Sequence, residues 1–107
     1  MQIETIVKRN VLIVYLIGEL DEYSAEQARR KLDKRFEDAN FECVIFDMSK
    51  LTFMDSTGIG LLIGRYKKLY KKNIRAYIQN PCLQVEKILR MSGLYEIMPR
   101  LSNSEVI

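Results

Sequence analysis

Glu42-Cys43-Val44-Ile45-Phe46-Asp47-Met48-Ser49-Lys50-Leu51-Thr52-Phe53-Met54-Asp55-Ser56-Thr57-Gly58-Ile59-Gly60 is the stretch whose reading decides the fold. Residues Glu42 to Asp47 form a nearly continuous apolar run, as expected of a strand covered on both faces. The chain then passes Leu51 and Phe53 to Asp55-Ser56-Thr57-Gly58, a helix start built from capping residues. Ile59, Leu62, Tyr66 and Leu69 follow at helical spacing and predict a second helix running to about Lys72. A buried strand feeding a helix through a short loop is the unit of an α/β sheet.

The flanks extend the pattern. Ile3 to Lys8 alternates loosely and reads as an edge strand, and Arg9-Asn10 is a tight turn into a branched strand, Val11 to Ile17, ended by Gly18. An edge strand without a neighbour permits weak association. Ser24 with Gln27 three residues later is a capping box, and Ala25, Ala28, Leu32 and Phe36 give a first helix to about Asp38. After Asn73, Ile74 to Ile78 reads as a fourth strand. Asn80-Pro81 is a turn in which Pro81 opens a third helix with an apolar face of Val85, Ile88 and Leu89. Gly93 fits its left-handed C-terminal position, and Leu94 to Met98 is a short last strand or extended segment. The layout is a single α/β domain: a mixed sheet, antiparallel in its first hairpin and then mainly parallel, with covering helices.

Composition narrows the chemistry. The chain has 107 residues, 48% apolar and 29% charged, which is ordinary globular usage. The longest apolar run, Val11 to Ile17, is far short of the roughly 20 residues of a membrane span, and there is no signal-peptide pattern. A cytoplasmic location is expected. There is no histidine, so Ser-His-Asp and Cys-His catalysis and His-containing zinc sites are excluded. Cys43 and Cys82 read as reduced core thiols. No metal, cofactor or resident enzyme active site is expected. Arg65, Lys67, Lys68, Lys71, Lys72 and Arg75, interleaved with Tyr66 and Tyr70, superficially suggest a nucleic-acid surface. With a net charge of +3 they read instead as a solvated helix face.

Ser56 falls at the first turn of the second helix, near four unpaired backbone N–H groups and the positive end of the helix dipole. Gly58 and Gly60 keep that turn low enough for another molecule to approach. Asp55 or Ser56 acts as a cap, and an exposed capping hydroxyl is also a reachable phosphoacceptor.

These residues resemble a family. Asp55-Ser56-Thr57-Gly58-Ile59-Gly60 after Leu51-Thr52-Phe53-Met54 is similar to the signature of the STAS domain of bacterial anti-sigma factor antagonists. The likeness continues through Leu61-Leu62-Ile63-Gly64-Arg65-Tyr66-Lys67. Gly18-Glu19-Leu20-Asp21 matches the loop before the family's first helix, and Met91-Ser92-Gly93-Leu94 the end of its third. Phe-Met-Asp-Ser with Gly-Arg-Tyr-Lys resembles the sporulation branch, the anti-sigma-F factor antagonists. The resemblance implies a STAS-like domain over residues 1–107, with four to five strands and about three helices. The chain departs from the family's pattern after Met98, where Leu101 to Ile107 leave room for barely one turn of the usual final helix.

It also implies a function. The unphosphorylated protein binds an anti-sigma factor that is itself a serine kinase and so frees a sigma factor; phosphorylation reverses this, and a serine phosphatase restores the hydroxyl. By position the acceptor is Ser56, with Thr57 a minor competitor. Partner contacts fall on Asp21, Asp55, Ser56, Thr57, Gly58 and the apolar Ile59. The alternative within the family is a STAS module of another partner-switching circuit, for a general stress response or a ligand-sensing complex. The rival from another class is a receiver domain with Asp47 as phosphoacceptor, which lacks the acidic pair and the lysine that such domains need.

Overall fold

A computed structural model describes residues 1–38 and 40–102 of the chain. In order these form β1 (Gln2–Lys8), β2 (Val11–Leu20), α1 (Ala25–Glu37), β3 (Cys43–Asp47), β4 (Leu51–Met54), α2 (Ser56–Lys71), β5 (Arg75–Gln79), α3 (Leu83–Ser92), a 3-10 turn (Leu94–Glu96) and β6 (Arg100–Leu101). The sheet runs β1-β2-β3-β5-β6, with β4 joined to the far end of β2. β1 and β2 are antiparallel, and the other pairings are parallel. The mixed α/β layout predicted above is therefore the observed one. Two short strands, β4 and β6, raise the described sheet to six.

Register sorts the side chains. Leu12, Val44 and Ala76 are aligned across β2, β3 and β5, and so are Val14, Phe46 and Ile78. These two rows face the helices and join one core with Leu32, Phe36, Leu62, Leu69, Val85 and Leu89. Edge-on contact of the Phe36 ring with Phe46 fixes α1 over the sheet. The intervening row, Ile6, Ile13, Ile45 and Tyr77, lies on the opposite face and outside that core. Among the described residues β3 is thus covered by helices on one face only, against the expectation from its apolar run, although Ile45 on the other face is 8% exposed. Overall extents of 31 × 31 × 22 Å fit two layers.

Several local expectations are corrected. Gly18 does not end β2. It takes φ of 106°, bends the strand at a bulge, and lets Glu19 and Leu20 pair with β4. The Ser24–Gln27 capping box does not form: the Ser24 hydroxyl turns back, accepting from Asp21 N–H at 3.0 Å and donating to Glu19 O at 2.9 Å. Pro81 lies before the N-cap of α3, which is Cys82. Leu94 to Met98 is no strand, because Leu94 and Met98 both turn into the core and close a tight turn, Met98 N–H to Leu94 O at 2.9 Å. Gly93 does take the left-handed position, φ 79°. Cys82 is exposed and Cys43 half-buried, so neither is a core thiol. Arg65 leaves the solvated face: it is buried and pairs with Asp33 of α1 at 3.1 Å. The shortened final helix expected near the C-terminus falls largely on residues 103–107, outside the described residues.

Candidate functional site

Two loops meet where β2 and β4 end. Gly18 N–H donates to Lys50 O at 2.9 Å, and the Thr52 hydroxyl to Gly18 O at 3.0 Å. Asp55 N–H donates to Leu20 O at 3.3 Å. The β2–α1 loop, with Asp21, is thereby tied to the start of α2, with Asp55, Ser56 and Thr57. These four residues, separated in sequence, share one end of the molecule. That end lies at the carboxyl termini of parallel strands, where open α/β sheets hold their ligands and partners.

Within it the work is divided. Asp55 is the N-cap: its Oδ1 accepts from Thr57 N–H at 2.9 Å and from Gly58 N–H at 3.3 Å. That satisfies two of the four free amides of the helix start. Ser56 is therefore not needed as a cap. It is exposed at the first helical position, and its hydroxyl makes no hydrogen bond among the described residues. Thr57 is exposed beside it. The Asp21 carboxylate accepts from the backbone N–H groups of Ser24 and Tyr23, both at 3.0 Å. The Ser24 amide bond above all, helped by the Ser24 hydroxyl and the Tyr23 amide and opposed by burial, holds that carboxyl below its ordinary value, so it stays charged near neutrality.

Gly58 and Ile59 lie elsewhere than the sequence reading puts them. Gly58 is buried, and a Cβ there would stand 2.6 Å from Met54 Cγ and 3.1 Å from Leu20 Cγ. Its smallness serves the packing of α2 against the protein's own core; Gly60 faces open space. Ile59, expected at the contact surface, is 8% exposed and belongs to the core. Exposed apolar side chains come from positions the sequence reading did not single out. Phe53 and Leu83 line an open groove of about 340 Å³ with Met54, Gln84 and Lys87. Tyr23, in the Asp21 loop, is 87% exposed. The available signal was phase: Leu83 falls outside the Val85–Leu89 stripe of α3.

Asp47, the acceptor of the receiver alternative, is closed to that role. It is buried, with Oδ1 accepting from Ser49 N–H and hydroxyl and Oδ2 from Gln79 Nε2 and Asn80 Nδ2. It holds the β3 and β5 ends together. Among the described residues no group of three acidic, Cys or His side chains converges as a metal site would require, and no helix is long and apolar enough to cross a membrane.

The family model described as the STAS domain matches residues 2–106. The chain belongs to the STAS family. Among STAS relatives, an anti-sigma F factor antagonist of Paenibacillus polymyxa is 37% identical over 96% of this chain and 88% of that one. The unphosphorylated anti-sigma factor antagonist SpoIIAA superposes with a TM-score of 0.78 at 34% identity, covering 97% of this chain and 90% of that one. The Bacillus SpoIIAA in its phosphorylated form gives 0.69 at 33% identity, covering 97% and 93%.

Proposed function

We propose that this STAS domain is an anti-sigma factor antagonist of the sporulation type, switched by phosphorylation of Ser56. The observation that carries the reading is the division of labour at the start of α2: Asp55 takes the cap, and the adjacent serine hydroxyl stands exposed and unengaged. The relatives named anti-sigma F factor antagonists support the partner class, an anti-sigma factor, and the phosphorylated form of SpoIIAA supports the chemistry. The kinase is then the anti-sigma factor. Ser56 Oγ attacks the γ-phosphorus of its ATP, the bond to the ADP oxygen breaks, and the hydroxyl proton passes to a base on the kinase. A serine phosphatase returns the protein to its binding form.

Phosphate works here as a charge on a docking surface. It adds about −1.5 to −2 charges at pH 7. In the free protein the helix N-terminus favours it by ~0.3–1 kcal/mol, while Asp55 and Asp21 oppose it, so the fold barely responds. A partner seated over Asp21, Asp55, Ser56 and Thr57 would have to strip water from that charge beside two carboxylates. Gly58 and Ile59 contribute beneath this surface by seating the start of α2 against Met54, Leu20 and the core. Phe53, Leu83 and Tyr23 provide apolar contact at its rim.

Intact-mass spectrometry after incubation with the anti-sigma kinase and ATP tests the assignment. One phosphate mapped to Ser56, absent in Ser56→Ala, is expected. Phosphate on Thr57 with Ser56 unmodified would overturn it.

A further inference from the structure

We propose that the free edge of β1 pairs with the same edge of a second copy of the chain. Among the described residues β1 ends the sheet, so alternate residues from Gln2 to Lys8 turn their N–H and C=O groups away from β2 toward no described strand. The strand carries neither proline nor bulge, and Ile6 and Val7, one on each face, are 48% and 49% exposed.

A two-fold axis must pass through a residue of β1, because an axis between residues would set outward-turned groups against inward-turned ones. An axis at Glu4 opposes the two Glu4 carboxylates. At Thr5 it sets Glu4 against the second copy's Ile6. At Val7 the overlap shrinks to a few residues and Ile6 faces lysine. An axis at Ile6 matches every position: Glu4 opposes the second copy's Lys8, Lys8 its Glu4, Thr5 its Val7, and Ile6 its own counterpart. Glu4 and Lys8 are both exposed and share the face that no described helix covers, with Gln2 Nε2 donating to the Glu4 carboxylate at 3.1 Å. In this register the aliphatic row Tyr77–Ile45–Ile13–Ile6 continues into the same row of the second copy. On the other face there is room, since α1 leaves Val7 half exposed and reaches β1 through Arg35 Nε on the Thr5 hydroxyl at 3.2 Å.

Five paired residues a side are few against the roughly 20–30 of a standard interface, so the dimer is weak and reversible. The paired segment Glu4–Lys8 starts away from the β2–β4 end that carries Ser56, because Lys8 pairs with Val11 at the opposite end of β2. Association is therefore independent of the Ser56 site.

Sedimentation equilibrium of the full chain at physiological salt, from micromolar to millimolar concentration, tests this. The wild type should rise from the monomer mass toward twice that value. Glu4→Lys and Lys8→Glu should each weaken association by about tenfold or more, since two attractive cross-strand pairs become repulsive. An equimolar mixture of those two variants should associate again, as should the double variant, because both restore opposite charges. A wild type that stays monomeric overturns the proposal. So do single variants that associate like the wild type, or a mixture that fails to recover.

Discussion

Asp55 and Ser56 are adjacent, both are helix-capping residue types, and the structure gives them different work. The Asp55 carboxylate binds the Thr57 and Gly58 amides, which leaves the Ser56 hydroxyl free for chemistry. The two glycines that follow are just as different. A methyl group at Gly58 would press on Met54 and Leu20, both buried, whereas one at Gly60 meets nothing within 4 Å. Gly58→Ala is expected to lower stability by about 1–3 kcal/mol through overpacking. Gly60→Ala is expected to raise it by about 1 kcal/mol, since alanine is the better helix former. Urea unfolding at pH 7 separates them; equal effects from the two substitutions would contradict the assignment of Gly58 to the core.

At the scale of elements, what the sequence revealed and what it hid follow from physical cause. β2, β3, α1 and α2 announce themselves through branched runs and a helical stripe, because their burial is local to one strand face or one helix side. β4 does not: Leu51–Met54 is short, and its pairing with β2 depends on a bulge at Gly18 that periodicity cannot show. Arg65 hides for another reason. Closeness in sequence grouped it with the lysines, but its phase places it between Leu62 and Leu69 on the buried side of α2, where it pairs with Asp33 of α1. Burial pulls its guanidinium below the ordinary value while Asp33 pulls it back. In the site, Asp55, Ser56 and Thr57 were legible from residue type. Their meeting with Asp21 rests on the pairing of β4 with the end of β2 and on bonds between the loops such as Asp55 N–H to Leu20 O, none of which has a sequence signature.

The C-terminal turn after α3 is likewise held by long-range charge. Glu86 of α3 accepts from the Tyr95 hydroxyl and pairs with Arg90 at 2.6 Å and Arg100 of β6 at 3.2 Å. Burial alone would raise the Glu86 carboxyl, but these donors outweigh it and hold it below its ordinary value of 4.5. Burial first, and then the Glu86 carboxylate, push the Tyr95 phenol upward. The contribution of Glu86 is therefore fully present above the unfolded value and is lost as pH falls through the lower folded one. Melting temperature followed from pH 7 to pH 3 should show Glu86→Gln less stable at neutrality and falling less on acidification. Parallel curves for variant and wild type would contradict this.

At the scale of the whole molecule, a two-layer domain 22 Å thick leaves little room for phosphate to propagate a conformational change, and the proposed switch requires none. The apolar core beneath the helices is one contiguous cluster, and Ser56, exposed at the start of α2, stands outside it. Regulation then resides in the surface charge of one end, and the partner, not the fold, reads it. Calorimetric titration of the anti-sigma factor with the unphosphorylated protein, the Ser56-phosphorylated protein, Ser56→Ala and Ser56→Asp measures this directly. The unphosphorylated protein and Ser56→Ala should bind alike. Ser56→Asp should bind at least about tenfold more weakly, a loss of ~1.4 kcal/mol, and the phosphorylated protein more weakly still. Equal affinity of the phosphorylated and unphosphorylated forms would contradict a switch at Ser56.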